Sequence, residues 1–233
     1  MERKQFIRTL SFLVFSGPAV LTACKKDDET GTNVDNSCTV TPRETEGPFP
    51  TKTPASYIRS DIRKEDGLGV EMTALITIAN VKDNCNTLSG ALVDIWHCDV
   101  GGNYSQYGGT QMQSANHQSV NWYRGRQTTD SNGLVTFKTI FPGWYQGRST
   151  HIHVHIYDAT GKSLLVTQIA FQDSLSIDVN KNGSPYGYTK GTLGYTYNSN
   201  DNVFNDGVTQ QMSVVTGTMA EGFDMKITLR VSA

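Results

Sequence analysis

Apolar and polar residues alternate in short runs along most of this chain, and that period of two predicts strands. In Glu71 to Val81 (EMTALITIANV), Met72, Ala74, Ile76 and Ile78 share one face. Gly90 to Trp96 sets Leu92 and Asp94 against Val93 and Ile95. Leu134 to Ile140 (LVTFKTI) follows a tight turn at Asp130 to Gly133, and Ser163 to Phe171 is rich in strand-forming residues. Gln211 to Thr216 and Phe223 to Val231 close the chain. In the last of these, Phe223, Met225, Ile227, Leu229 and Val231 alternate with polar residues, as in a strand with one buried face. No stretch shows convincing helical spacing, and no internal repeat is visible. Seven or eight short strands, mainly antiparallel and joined by long rim loops, predict an all-β sandwich.

The connecting segments are of three kinds. Thr41 to Pro50 holds three prolines and a glycine, which excludes helix and central strand and predicts an extended segment laid over the domain. Arg59 to Lys64 reads as a short turn. Cys98 to Asn121 and residues 172 to 208 are long, polar and rich in glycine and asparagine, and long loops in compact domains often carry function. The tyrosines of the second loop, Tyr186, Tyr188, Tyr195 and Tyr197, read as surface residues.

The first thirty-odd residues change the picture of where the protein works. Arg3, Lys4 and Arg8 precede a short apolar run, Leu10 to Leu21, too short to span a bilayer. Leu21-Thr22-Ala23-Cys24 then resembles the lipobox of bacterial lipoproteins, and Lys25-Lys26-Asp27-Asp28-Glu29 resembles a surface-export signal. The alternative is an ordinary secretory signal cut after Ala23. The expected organisation is a signal peptide at 1–23, a lipidated Cys24 with a flexible tether at 24–37, and a folded domain at 38–233. That implies an extracytoplasmic protein on a bacterial outer membrane or cell surface, held by lipid on Cys24. Outside the cytoplasm a disulfide persists. Cys38 with Cys85 would pin the N-terminal segment to the body and leave Cys98 buried and free, although spacing alone leaves the pairing open. The net charge of -2 gives no electrostatic case for nucleic acid.

Candidate chemistry concentrates in Tyr145-Gln-Gly-Arg-Ser-Thr-His151-Ile-His153-Val-His155, which holds three of the five histidines. On a strand, His151, His153 and His155 project to one face, and imidazoles at i and i+2 can bind one metal ion. The same alternation also describes a solvated polar face. Tyr145 and Arg148 lie just upstream, and Tyr104 follows a predicted strand end and a Gly-Gly turn.

Five motifs, in order, resemble those of the intradiol ring-cleavage dioxygenases. They are T-E-G-P-F at Thr45 to Phe49, D-I-W-H-C-D-V-G-G-N-Y at Asp94 to Tyr104, and R-G-R-Q-T-T-D-S-N-G at Arg124 to Gly133. F-P-G-W-Y at Phe141 to Tyr145 and R-S-T-H-I-H at Arg148 to His153 complete the set. The resemblance implies a non-haem Fe(III) centre held by Tyr104, Tyr145, His151 and His153. It also implies a catechol-type aromatic diol and O2 as substrates, and a cis,cis-muconate as product. Tyr145 would be the ligand that gives way to the diol, Arg148 would stabilise developing negative charge, and Gln168 would orient the ring or the anhydride intermediate. His155 is not needed by the motif. His97 reads as a packing residue, and Trp96 either walls the pocket or fills the core. His117 and Tyr123 lie in the loop near substrate reach. Only two residues separate Tyr145 from Arg148, fewer than in the protocatechuate enzymes, and no N-terminal helical dimerisation region is present. Both departures leave substrate identity open.

Two other readings compete. One is a non-enzymatic sandwich that binds a glycan or a partner through its rim loops. The other is a periplasmic copper- or zinc-binding protein using the H-I-H-V-H face. The paired tyrosines argue against a copper or zinc carrier, and Arg148 and Gln168 beside the histidines argue against a pure binding module.

Overall fold

The computed structural model describes residues 38–233. The expected leader, Cys24 and tether lie outside the described residues. The strands are β1 (Glu71–Asn80), β2 (Asn86–Thr87), β3 (Leu92–Trp96), β4 (Arg124–Thr128) and β5 (Leu134–Ile140). After them come β6 (His151–Tyr157), β7 (Ser163–Ala170), β8 (Val214–Thr218) and β9 (Gly222–Val231). They form two sheets. One is ordered β4-β3-β6-β7 and is antiparallel throughout. The other runs β2-β1-β9-β8, with β5 also paired to β1; its β1–β9 pair is parallel and the rest antiparallel.

The core lies between the sheets. Val93, Ile95, Ile152, Val154, Ile156 and Ile169 face Met72, Ala74, Ile76, Phe137, Met225 and Leu229 across it. Full burial of such side chains is worth about 1.5–3 kcal/mol each. This fixes the register of β6: Ile152 and Val154 point inward, so His151, His153 and His155 point outward. A slip of one residue would drive three imidazoles into the apolar layer. Cross-strand pairing places His153 between Trp96 and Gln168, and His155 between Asp94 and Val166.

The proline-rich segment is extended and covers the sheets' edges. The Thr41 N–H donates to the Arg230 carbonyl and the Glu44 N–H to that of Val166, at 3.0 and 2.8 Å. Just upstream, Cys38 and Cys85 form a disulfide, and Cys98 is buried and free.

Four expectations need correction. A helix, α1 (Asp173–Asn182), lies in the stretch read as irregular. Leu175 and Val179 are its apolar contacts with the core, too few for a helical period to show in DSLSIDVNKN. Tyr188 and Tyr195 are buried, not surface residues; the Tyr188 hydroxyl donates to the Phe141 carbonyl. Residues 211–213 bridge to Ala170 before β8 begins at Val214. Arg59 to Lys64 is extended rather than a turn, with Ile62 bonded through its backbone to Lys138 and Tyr123.

Candidate metal centre

The outward face of β6 carries the candidate ligands His151 and His153. His151 and His153 are each only 3% exposed. Nδ1 of His151 lies 2.7 Å from the Ser149 carbonyl, so it carries the proton and Nε2 is left with a bare lone pair. That Nε2 stands 3.1 Å from Nε2 of His153 and 3.2 Å from the Tyr104 hydroxyl. The His153 ring stacks on Trp96, its cross-strand neighbour, with centroids 4.9 Å apart and planes 1° from parallel. Gly47, at φ +68°, lies against the same ring: a Cβ there would sit 3.0 Å from Cε1. That contact accounts for the glycine in T-E-G-P-F. Burial, with Arg148 adding to it, lowers His151 to about 3. Burial and the neighbouring His151 push His153 well below its ordinary range. Both rings are neutral at pH 7, the form that binds metals.

Tyr104 arrives from the long loop. Asp99 caps the turn before it, accepting from the Gly101 and Asn103 N–H groups at 2.9 Å each. Gly102, at φ +87°, passes so close to Trp144 that a Cβ would fall 2.3 Å from its carbonyl oxygen. The Gln113 amide then holds both backbone groups of Tyr104, at 2.6 and 2.8 Å. Burial pushes the Tyr104 phenol well above 10, so ionising it needs a cation in the site. Tyr145 is half-buried. Its ring packs edge-on to Tyr104 at 6.2 Å and to Phe49 at 5.7 Å. Burial raises its phenol as well, and Arg148 acts in the opposite sense.

Arg148 and Gln168 meet beside the imidazoles. Nη2 of Arg148 donates to the Gln168 amide oxygen at 2.6 Å, and the Gln168 amide nitrogen donates to the Thr45 carbonyl at 2.8 Å. Three further residues support the site, and two of them, Asp201 and Gln113, carry no strong sequence signal. Asp201 pairs with Nε of Arg148 at 2.8 Å from the polar loop. Gln113 sits in a low-complexity stretch. Arg124, in the R-G motif, is fully buried and donates to Phe49 O, Thr51 Oγ1, Ser105 O and Ser105 Oγ. Burial lowers its guanidinium to about 10.

The remaining candidates fall outside this cluster. His155 contacts Glu46 at 2.8 Å and Ser163 at 2.8 Å and stacks on Tyr157. His97 is buried against Tyr123 and bonds Thr139 at 2.6 Å. Tyr123 is therefore core, and His117 packs edge-on to Trp122. A cleft of about 540 Å3, lined by Leu75, Met212, Val214 and Ile227 among others, lies on the other sheet and gathers no chemistry.

The donor set suits a transition-metal cation, with the phenol oxygen as its hard donor. Two neutral nitrogens and a phenol oxygen converge, and one lone pair on His151 cannot satisfy both of its neighbours. A separation of about 3 Å is also what adjacent ligands at about 2.0–2.1 Å from a shared ion would show.

A family model described as a dioxygenase matches residues 45–184. The fold is similar to an intradiol ring-cleavage dioxygenase from Tetranychus urticae, at TM-score 0.71 and 27% identity over 83% of this chain and 95% of that one. It is also similar to the dioxygenase domain of a dioxygenase carbohydrate-binding protein fusion from Streptomyces sp. SirexAA-E. There the TM-score is 0.59 and the identity 26%, over 82% and 97%. A 3-chlorocatechol 1,2-dioxygenase from Rhodococcus opacus 1CP shares the fold at TM-score 0.54 and 18% identity, over 82% and 72%. This chain belongs to the intradiol ring-cleavage dioxygenases. Members of the family use non-haem Fe(III). In this dioxygenase the matched segment contains Tyr104, Tyr145, Arg148, His151, His153 and Gln168, while Asp201 lies beyond it.

Proposed function

We propose that this dioxygenase holds Fe(III) through Tyr104, Tyr145, His151 and His153 and cleaves a catechol-type diol between its two hydroxylated carbons. The observation that carries the reading is the convergence of Tyr104 Oη and the two Nε2 atoms in a buried site whose imidazoles are neutral. When bound, ferric iron supplies a Lewis-acid centre that accepts both diol oxygens and renders the ring reactive toward O2. Catechol and one O2 together contain all the atoms of cis,cis-muconic acid, so no external reductant is required.

The chain's own groups supply the rest. Phe49, Tyr107 and Tyr145 form an aromatic wall beside Tyr104 that suits a flat ring. Tyr145, half-exposed at the rim, would be a phenolate while it holds the iron, and its Oη would then be the base that takes a proton from the incoming diol. Arg148, held on Asp201 and Gln168, presents a fixed positive charge where negative charge develops. Burial of the site keeps these interactions out of bulk water.

The test is the visible spectrum of the iron-loaded protein, before and after catechol is added without oxygen. A tyrosinate-to-iron band that shifts on addition supports the reading. A protein that stays colourless after ferric reconstitution overturns it. We propose further that the protein is exported, a reading supported by the Cys38–Cys85 disulfide, and lipid-anchored at Cys24, which rests on the lipobox-like Leu21-Thr22-Ala23-Cys24 alone. Intact mass of the mature protein tests that: an unmodified N-terminus would contradict it.

A further inference from the structure

Asp201 is 1% exposed, and its carboxylate receives four donors. Oδ1 accepts from Arg148 Nε at 2.8 Å and from the Val203 N–H at 3.0 Å. Oδ2 accepts from Arg148 Nε at 2.9 Å, from the Ser149 N–H at 2.8 Å and from the Ser149 hydroxyl at 3.1 Å. Ser149 then uses its own carbonyl to accept the Nδ1–H of His151 at 2.7 Å. One carboxylate is thus joined to the charge beside the site and, through a single residue, to the protonation pattern of an imidazole in it.

The donors dictate the residue type. A carboxylate offers two acceptor oxygens and no hydrogen. An amide offers one acceptor and turns an NH2 toward a donor, so it can serve the arginine or Ser149 but not both. Phe204, on the turn after Asp201, lies under the guanidinium at 5.8 Å and limits its swing.

We infer that Asp201 is a positioning residue for this dioxygenase: it aims Arg148 at Gln168 and fixes His151 as the Nδ1–H tautomer, leaving Nε2 bare toward the site. The catalytic consequence rests on the ferric dioxygenase reading above, whereas the tautomer does not. Asp201 itself lies beyond the segment matched by the family model, in a polar loop, while the residues it acts on lie inside that segment.

Asp201→Asn, close to isosteric, tests it in the full-length protein. In the iron-loaded form, kcat should fall by about ten- to a hundredfold, the usual effect of losing a group that orients a metal ligand, while KM is little changed. In the metal-free form, long-range proton–nitrogen spectra should show His151 as a single Nδ1–H tautomer in the unmutated chain and as a mixture in the variant. A lowered melting temperature with kcat and tautomer both unchanged would make Asp201 a loop anchor only and would overturn the inference. Should the variant not fold, the unmutated protein still decides it: an Nε2–H tautomer at His151 overturns the inference, and a single Nδ1–H tautomer with a slowly exchanging Arg148 Nε–H supports it. If the unmutated enzyme cleaves no aromatic diol, the dioxygenase chemistry fails while the tautomer result stands separately.

Discussion

The hydroxyl of Tyr104 lies 3.2 Å from Nε2 of His151, although the two residues are 47 positions apart and arrive from a loop and a strand. A buried phenol at that place has one hydrogen bond to lose, worth about 0.5–1.5 kcal/mol net. Tyr104→Phe should therefore fold with a melting temperature within a few degrees of the parent, yet lose most ferric visible absorption and turnover. Tyr145→Phe should do the same. Full colour and activity in both variants would sink the ligand assignment.

Gly47→Ala tests how tightly the proline-rich segment braces His153. The added methyl meets Cε1 at 3.0 Å, and the backbone there is at φ +68°. The strain costs about 1–2 kcal/mol, and the ring, stacked on Trp96, has little room to give. A drop in melting temperature together with weaker iron retention against a chelator is expected. Retention equal to the parent's would show that the segment is a passive cover.

Reduction of the Cys38–Cys85 bond releases a closed loop with a sequence separation of 47 residues. Chain-entropy arithmetic puts the loss near 4 kcal/mol. Urea unfolding with and without reductant should show a clear fall in midpoint, and Cys38→Ser should reproduce it. Coincident curves would mean that the backbone bonds at Thr41 and Glu44 already hold the segment.

The acid side of the stability profile should report His97. Burial lowers it from the ordinary 6.5 to about 4. Between those values the unfolded chain binds a proton that the folded chain refuses, so stability is full above pH 6.5 and falls as pH drops toward 4. The slope from this residue is about 1.4 kcal/mol per pH unit. His97→Gln should make the fall in urea midpoint between pH 6.5 and 4.5 less steep, with the part due to His151 and His153 remaining in the metal-free protein. An unchanged slope would place the acid sensitivity elsewhere.

Period-two alternation was enough to read β1, β3 and β9, each of which buries one face against the opposite sheet, while β5 showed through the turn before it and β7 through its strand-forming composition. The outward histidines of β6 were legible for the same reason. β4, with the sequence RGRQT, carries no apolar residue and shows itself only through pairing with β3. The helix α1 and the buried Tyr188 and Tyr195 escaped because polar composition was taken for exposure, whereas these groups are buried with hydrogen bonds. Asp201 and Gln113 escaped for a related reason. Asp201 acts on Arg148 from 53 positions away, and Gln113 acts on the Tyr104 backbone from within the same irregular loop, where no strand or helix period marks it.

The central claim is insertion of O2 between two hydroxylated ring carbons, and isotope labelling tests it most directly. Iron-loaded protein would turn over catechol under 18O2, with the ring-opened acid analysed by mass spectrometry. The account predicts a cis,cis-muconic acid carrying two labelled oxygens, one in each new carboxyl group. A product with one label or none, a semialdehyde from cleavage outside the diol, or catechol recovered intact would contradict it.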